Sequence, residues 1–229
     1  MNSKKIIVLA ATSAVLVSQA SAATLFGVIS GPTVSESSAV GVDPNILVTT
    51  AASSVYQRGS GVTAGAGSVF NTVGWDPLTT QAAAIAGGNF ISWSFTSSLG
   101  MNLSQAKISY SRSSVSSFDD MVIQIDTGSG FVDVFSDNDI STTTATGEVN
   151  TIDLSAFDNV TAATFRLVGW NATSNTAAFR FNNNAGVGTI GASNVSFLLE
   201  GEPVPEPATM AILAAAGLVA ARRRKSRSI

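Results

Sequence analysis

The chain of 229 residues contains no histidine and no cysteine, so any chemistry it performs falls to carboxylates, hydroxyls, amides, a few basic groups and three indole rings. The absence of imidazole excludes Ser-His-Asp catalysis, histidine acid–base work and the commonest zinc and copper ligand sets. Two acidic stretches stand out, Asp119-Asp120 and Asp137-Asn138-Asp139. Their oxygens would suit Ca²⁺, but neither has the spacing and glycine of an EF-hand loop, and neighbouring carboxylates on turns are more often solvated caps. We therefore expect no cofactor and assign no metal ligand, structural Ca²⁺ being the one ion the acids would suit. A glycoside hydrolase needs two carboxylates facing across a cleft, ~5 to 9 Å apart; the aspartates here fall mostly in turns or at strand ends. A carboxylate-dependent hydrolase is accordingly the weakest functional expectation, and the chain reads as a non-enzyme. The indoles suit sugar stacking. Trp93 alternates with Ile91 and Phe95 and belongs to a core face, whereas Trp75 in Gly-Trp-Asp-Pro and Trp170 beside Asn171 are the candidate glycan-binding rings.

These groups have to be positioned by strands. From Phe90 onward apolar residues recur with period two, the mark of half-buried strands: FISWSFT, AKISYSR, DMVIQID, FVDVF, NTIDL, ATFRLVGW, AAFRF and NVSFLLE. Thr127-Gly128-Ser129-Gly130 reads as a hairpin loop. Shorter strands are predicted at 25–29, 46–50, 53–58 and 68–73, a helical piece at 79–86 and a turn at 154–157. Arg166 and Arg180 are expected to pair with acids on an outer sheet face. The fold class is all-β, an antiparallel, jelly-roll-like β-sandwich, with an N-terminal signal helix and a short C-terminal apolar helix.

The ends differ from the middle. Lys4 and Lys5 precede an apolar run from Ile6 to Val17, and Ala20-Ser21-Ala22 follows; this is the layout of a secretory signal peptide cut after Ala22, with Ala20 and Ala22 filling the peptidase pockets. The domains expected are a signal peptide at 1–22, a β-sandwich at 23–201 and a tail at 202–229, the tail divided into an apolar segment 208–221 and a basic stretch 222–229. As a helix that apolar segment would rise roughly 21 Å, short of the ~30 Å hydrocarbon core. Arg222, Arg223, Arg224 and Lys225 would have to snorkel to hold it. Pro205 and Pro207 bias the backbone around Glu206 toward extended geometry. Between Ala23 and Val204 five basic residues face fourteen acidic ones, a net charge of −9, which argues against a nucleic-acid partner.

The order Pro205-Glu206-Pro207, apolar run, Arg222 to Lys225 resembles the PEP-CTERM sorting signal of Gram-negative and related bacteria. That resemblance implies recognition by exosortase, a membrane-embedded transpeptidase-like enzyme, and processing near the Pro-Glu-Pro, after export by signal peptidase and the general secretion machinery. The order W-D-P, MVIQIDTGSGF, "DLS" at 153–155 and TFRLVGWNATSNTAAFRFNN is similar to the jelly-roll bodies of many PEP-CTERM proteins, some of which resemble carbohydrate-binding or laminin-G-like sandwiches. The expectation is an exported protein, transiently anchored in the membrane and then placed at the cell surface or in an exopolysaccharide-associated biofilm matrix. A carbohydrate-binding module adhering to extracellular polysaccharide is the alternative.

Overall fold

The computed structural model describes residues 22–142 and 147–204. The predicted signal helix with Ala20, the apolar helix 208–221, Pro205, Glu206, Pro207 and Arg222 to Lys225 lie outside the described residues.

In chain order the elements are β1 (Ala23–Ser30), β2 (Ser37–Val40), β3 (Ile46–Val48), β4 (Gln57–Arg58), β5 (Thr63–Ala64), β6 (Asn71–Val73), α1 (Gln81–Gly87), β7 (Phe90–Arg112), β8 (Asp120–Asp126), β9 (Val132–Asp137), β10 (Glu148–Asp153), β11 (Val160–Trp170), β12 (Phe179–Phe181), β13 (Asn184–Ile190), β14 (Ser193–Val195) and β15 (Phe197–Pro203). All the strand pairs formed between these elements are antiparallel. The fold is an antiparallel β-sandwich whose two layers share β7, a strand of 23 residues. Its first half pairs with β11, followed by β8 and β9, and on its other edge with β3 and β4. Its second half pairs with β15, followed by β1 and β2, and on its other edge with β10. A strand long enough to leave one layer and enter the next makes a corner of the sandwich.

The sequence predicts two separate strands where β7 runs through, because alternation breaks between them. The structure supplies the reason. Gln105 pairs with Glu200 and Leu103 with Gly201, so Ser104 is an extra residue on β7. A bulge of this kind shifts the side-chain phase by one, which lets Leu103 and Ala106, three positions apart, both be buried.

The core is aromatic and spans the layers. Trp93 on β7 stacks on Phe165 of β11 at 5.5 Å and meets Phe197 of β15 edge-on at 5.2 Å; Phe26 of β1 meets Phe95 of β7 at 5.7 Å. Offset and edge-to-face pairs of this sort add to the burial of the rings themselves. The hairpin loop is formed as expected: Asp126 Oδ1 accepts from the N–H groups of Gly128 and Gly130, both at positive φ. The helical piece is α1, with the Thr80 hydroxyl capping the Ala83 N–H and Gly88 in the left-handed conformation closing it, as capping chemistry requires.

Both tyrosines of the chain are buried. Desolvation raises the pKa of Tyr56 well above the ordinary phenol value, against a smaller opposing effect of its hydrogen bond with Ser196. Desolvation also raises Tyr110, and the Asp137 carboxylate that accepts its O–H at 2.7 Å raises it further. The unfolded chain therefore releases phenolic protons near pH ~10 while the folded chain keeps them. Stability contributed by the neutral phenols is full below that pH and declines above it. Tyrosinate absorbance is expected to be absent at pH ~10 to 11 while near-ultraviolet circular dichroism stays native, then to appear together with unfolding. A smooth titration near pH ~10 in the native fold would contradict the burial of these rings.

Candidate functional site

The start of the first strand and the end of the last, which adjoin the two expected processing points in sequence, meet at one pole of the sandwich. Ala23, the first residue of β1, pairs with Gly201 on β15, so Ala22, after which signal peptidase is expected to cut, lies beside the exit of the C-terminal segment. On its other edge β15 stays paired with β7 up to Pro203 opposite Met101, and the Val204 N–H donates to Gly100 O at 2.7 Å. The sorting tripeptide thus begins one residue past the last hydrogen bond of the body, with no linker between them. Among the described residues no helix is long and apolar enough to cross a membrane.

The tryptophans separate sharply. Trp75 is fully buried, packed on Phe118 at 4.3 Å and Phe179 at 6.0 Å, with its Nε1–H donated to Thr72 O. It has no face to offer a sugar, so the expectation of a glycan platform at Trp75 is corrected: the Gly-Trp-Asp-Pro turn delivers the ring inward. Trp170 ends β11 half-buried and packs with Ala84, Val122 and Val168 beneath α1. Trp93 is core, as its spacing indicated.

The acidic stretches are tied into the fold. Asp119 forms an ion pair with the buried Arg112 at 2.7 Å. Asp120 accepts from the Asn171 amide, and Asp137 accepts from Tyr110 O–H and the Asp139 N–H. No three carboxylates come together among the described residues.

The arginines depart from the expected acid pairing. Arg166 Nε donates to Gln124 Oε1 at 2.6 Å, and its guanidinium lies 3.7 Å from the Phe131 ring centroid. Its pKa is lowered, chiefly by desolvation, with Asp126 and Asp133 opposing. Alternation along β11 placed it on the outer face, but an amide and a ring on neighbouring segments cannot be read from spacing. Arg180 has no acid partner among the described residues. Among the described residues, two of the surface recesses are lined by polar groups. One, of about 300 Å³, lies over the polar face of the first layer, where Ser94, Thr164 and Asp126 stand in register across β7, β11 and β8. The other, of about 270 Å³, contains Asn71, Arg180, Asn182 and Asn183, a cluster brought together by pairing of β6 with β12.

An antiparallel sandwich with a processing pole and small polar recesses defines a class of body and no reaction. Residues 203–225 match the PEP-CTERM protein-sorting motif; the chain carries that motif, which implies an exosortase-sorted exported protein with a C-terminal membrane anchor before processing. No curated protein matches the chain in sequence. Among solved structures, the crystal structure of the K2 cleaved adhesin domain of Lys-gingipain (Kgp) is similar over 77% of this chain and 87% of that one, with 14% identity and a TM-score of 0.27.

Proposed function

We propose that this is a non-enzymatic surface or matrix protein, exported through its signal peptide, processed by exosortase and left in the cell's exopolysaccharide layer without a cofactor. The observation that carries the reading is the sorting motif at 203–225. The continuity of β15 with that motif supports it, since a sandwich closed directly onto the anchor is displayed at the membrane surface until it is cut. The absence of histidine and cysteine removes the commonest catalytic constellations. Comparison of cells with and without exosortase tests the reading: the enzyme's loss is expected to leave the tail intact by mass spectrometry and the protein in the membrane fraction. Identical C-termini and identical locations in both would refute it. Adhesion to polysaccharide is the second reading, favoured by the polar recess at Arg180 and no longer by Trp75.

A further inference from the structure

Alternation along β12 sets the argument. Phe179 and Phe181 are fully buried in the core, so Arg180 between them points to the other face. There it stands opposite Asn71 on β6 and Ser111 on β7, and directly opposed residues share a face with Cβ atoms ~5 Å apart. The segment before β6 folds back over that face: Gly65 N–H donates to Asn71 O, Asn71 Nδ2 donates to Ala66 O at 2.5 Å, and Gly67 turns at φ +135°. Beneath it lies the pocket of about 270 Å³.

Its polar groups are fixed but not all satisfied. Asn182 Nδ2 is held by Ser111 Oγ at 2.9 Å, and Asn183 exchanges two hydrogen bonds with the Ser30 backbone. Asn71, 2% exposed, buries its Oδ1 without a partner, and Arg180 buries its Nε without one. The other basic side chains of the body are engaged: Lys107 with Glu200, Arg112 with Asp119, Arg58 with the Val34 and Asn71 carbonyls and the Phe70 ring, Arg166 with Gln124 and Phe131. Arg180 is the one cation without such a partner among the described residues, in a domain of net charge −9. Buried polar groups are normally paired, and the exceptions call for an explanation.

We propose that this pocket binds one uronic-acid residue of an acidic polysaccharide, the sugar carboxylate on the Arg180 guanidinium and sugar hydroxyls facing the Asn182 and Asn183 side of the pocket. A guanidinium recognises carboxylate through charge-assisted, paired hydrogen bonds, and the neutral amides of Asn182 and Asn183 that also line the pocket suit the hydroxyls of a sugar. The volume falls just below the ~300 to 1,000 Å³ of pockets for drug-sized ligands, which fits one residue of a chain. The choice of a polysaccharide rests on the matrix reading above; the chemistry of the pocket does not.

Isothermal titration of the full chain with glucuronate, tri-galacturonate, glucose and inorganic phosphate tests this. Glucuronate and tri-galacturonate are expected to bind, glucose and phosphate each about 10-fold or more weakly. Arg180→Gln is expected to lower glucuronate affinity about 10- to 100-fold, the span of a charged hydrogen-bonded contact, with the thermal midpoint unchanged; Arg180→Lys, which keeps charge without the fork, falls between. Equal binding of glucose and glucuronate, phosphate binding as tight as glucuronate, undiminished binding by Arg180→Gln, or no binding of the uronates overturns the proposal. Exosortase-dependent processing is read separately by mass spectrometry. Normal processing with no uronate binding sinks the pocket and spares the sorting reading, and the reverse outcome spares the pocket.

Discussion

Glu206→Ala, or Pro205→Ala with Pro207→Ala, is expected to abolish tail processing and leave full-length protein in the membrane, whereas Ser in place of Arg222 to Lys225 is expected to release or mislocalise uncut protein. The two lesions strike different functions. The prolines fix φ and push the residues before them toward extended geometry, which is the reason to expect Glu206 to serve as the protease's handle. The basic cluster is expected to hold depth, since about 14 weakly apolar residues fall short of the ~20 a span requires and snorkelling side chains would have to make up the difference. The body sharpens this expectation. Pairing of β15 with β7 up to Pro203 and the hydrogen bond from Val204 to Gly100 tether the chain to the body up to the residue before the tripeptide. Membrane fractionation combined with mass spectrometry of the C-terminus separates the outcomes. Normal cutting of the Pro-Glu-Pro variants, together with firm anchoring of the basic-cluster variant, would show that the tail is an ordinary membrane segment.

How far the sequence carried the fold depends on whether a strand sees one environment or two. DMVIQID and ATFRLVGW were legible because Met121, Ile123 and Ile125, and likewise Phe165 and Leu167, recur with period two on the main core, although Val122 and Val168 are buried on the opposite face with Ala84 of α1. The stretch between Phe95 and Ile108 was not, since the extra residue at Ser104 changes phase where β7 crosses between layers. NVSFLLE reads as one strand but is divided at the fully buried Ser196, whose N–H turns to Val28 O and whose carbonyl accepts from Ser109. β13, with the sequence NAGVGTI, escaped notice because glycine and small residues give no period. The sorting tail was legible for a different reason: it is read as a linear segment, so residue type and order are its whole signal. The recess at Arg180 was illegible in the sequence, because Asn71 and Arg180 become neighbours only through a strand pair spanning more than a hundred residues. The clue available was compositional, a basic residue between two phenylalanines in a body with few cations. Trp75 shows the same limit from the other side: a turn motif fixes the backbone and says nothing about which way the indole goes.

Trp93→Ala is expected to cost about 3 to 5 kcal/mol, the range for deleting a large aromatic from a packed core, and so to remove a large share of a typical total stability of ~5 to 15 kcal/mol. Trp93 is 1% exposed and meets four rings from four separate segments: Tyr56 at 5.5 Å, Phe165 at 5.5 Å, Phe181 at 6.0 Å and Phe197 at 5.2 Å. Phe165 belongs to the same layer, Phe197 to the opposite one, so the indole joins the two sheets and its loss opens a cavity between them that neither can close alone. Trp93→Phe makes the informative comparison. It keeps most of the ring contacts and removes an Nε1–H that is buried without a hydrogen-bond partner among the described residues. A buried donor left unpaired is itself costly, so part of the lost packing is offset, and the Phe variant is expected to lose less than half of what the Ala variant loses. Urea unfolding followed by far-ultraviolet circular dichroism measures both, with the midpoint compared at a constant slope. A Phe variant as destabilised as the Ala variant would mean that the indole N–H contributes favourably, by pointing at the face of Tyr56, which stands at 89° to it, in the manner of an N–H to ring contact.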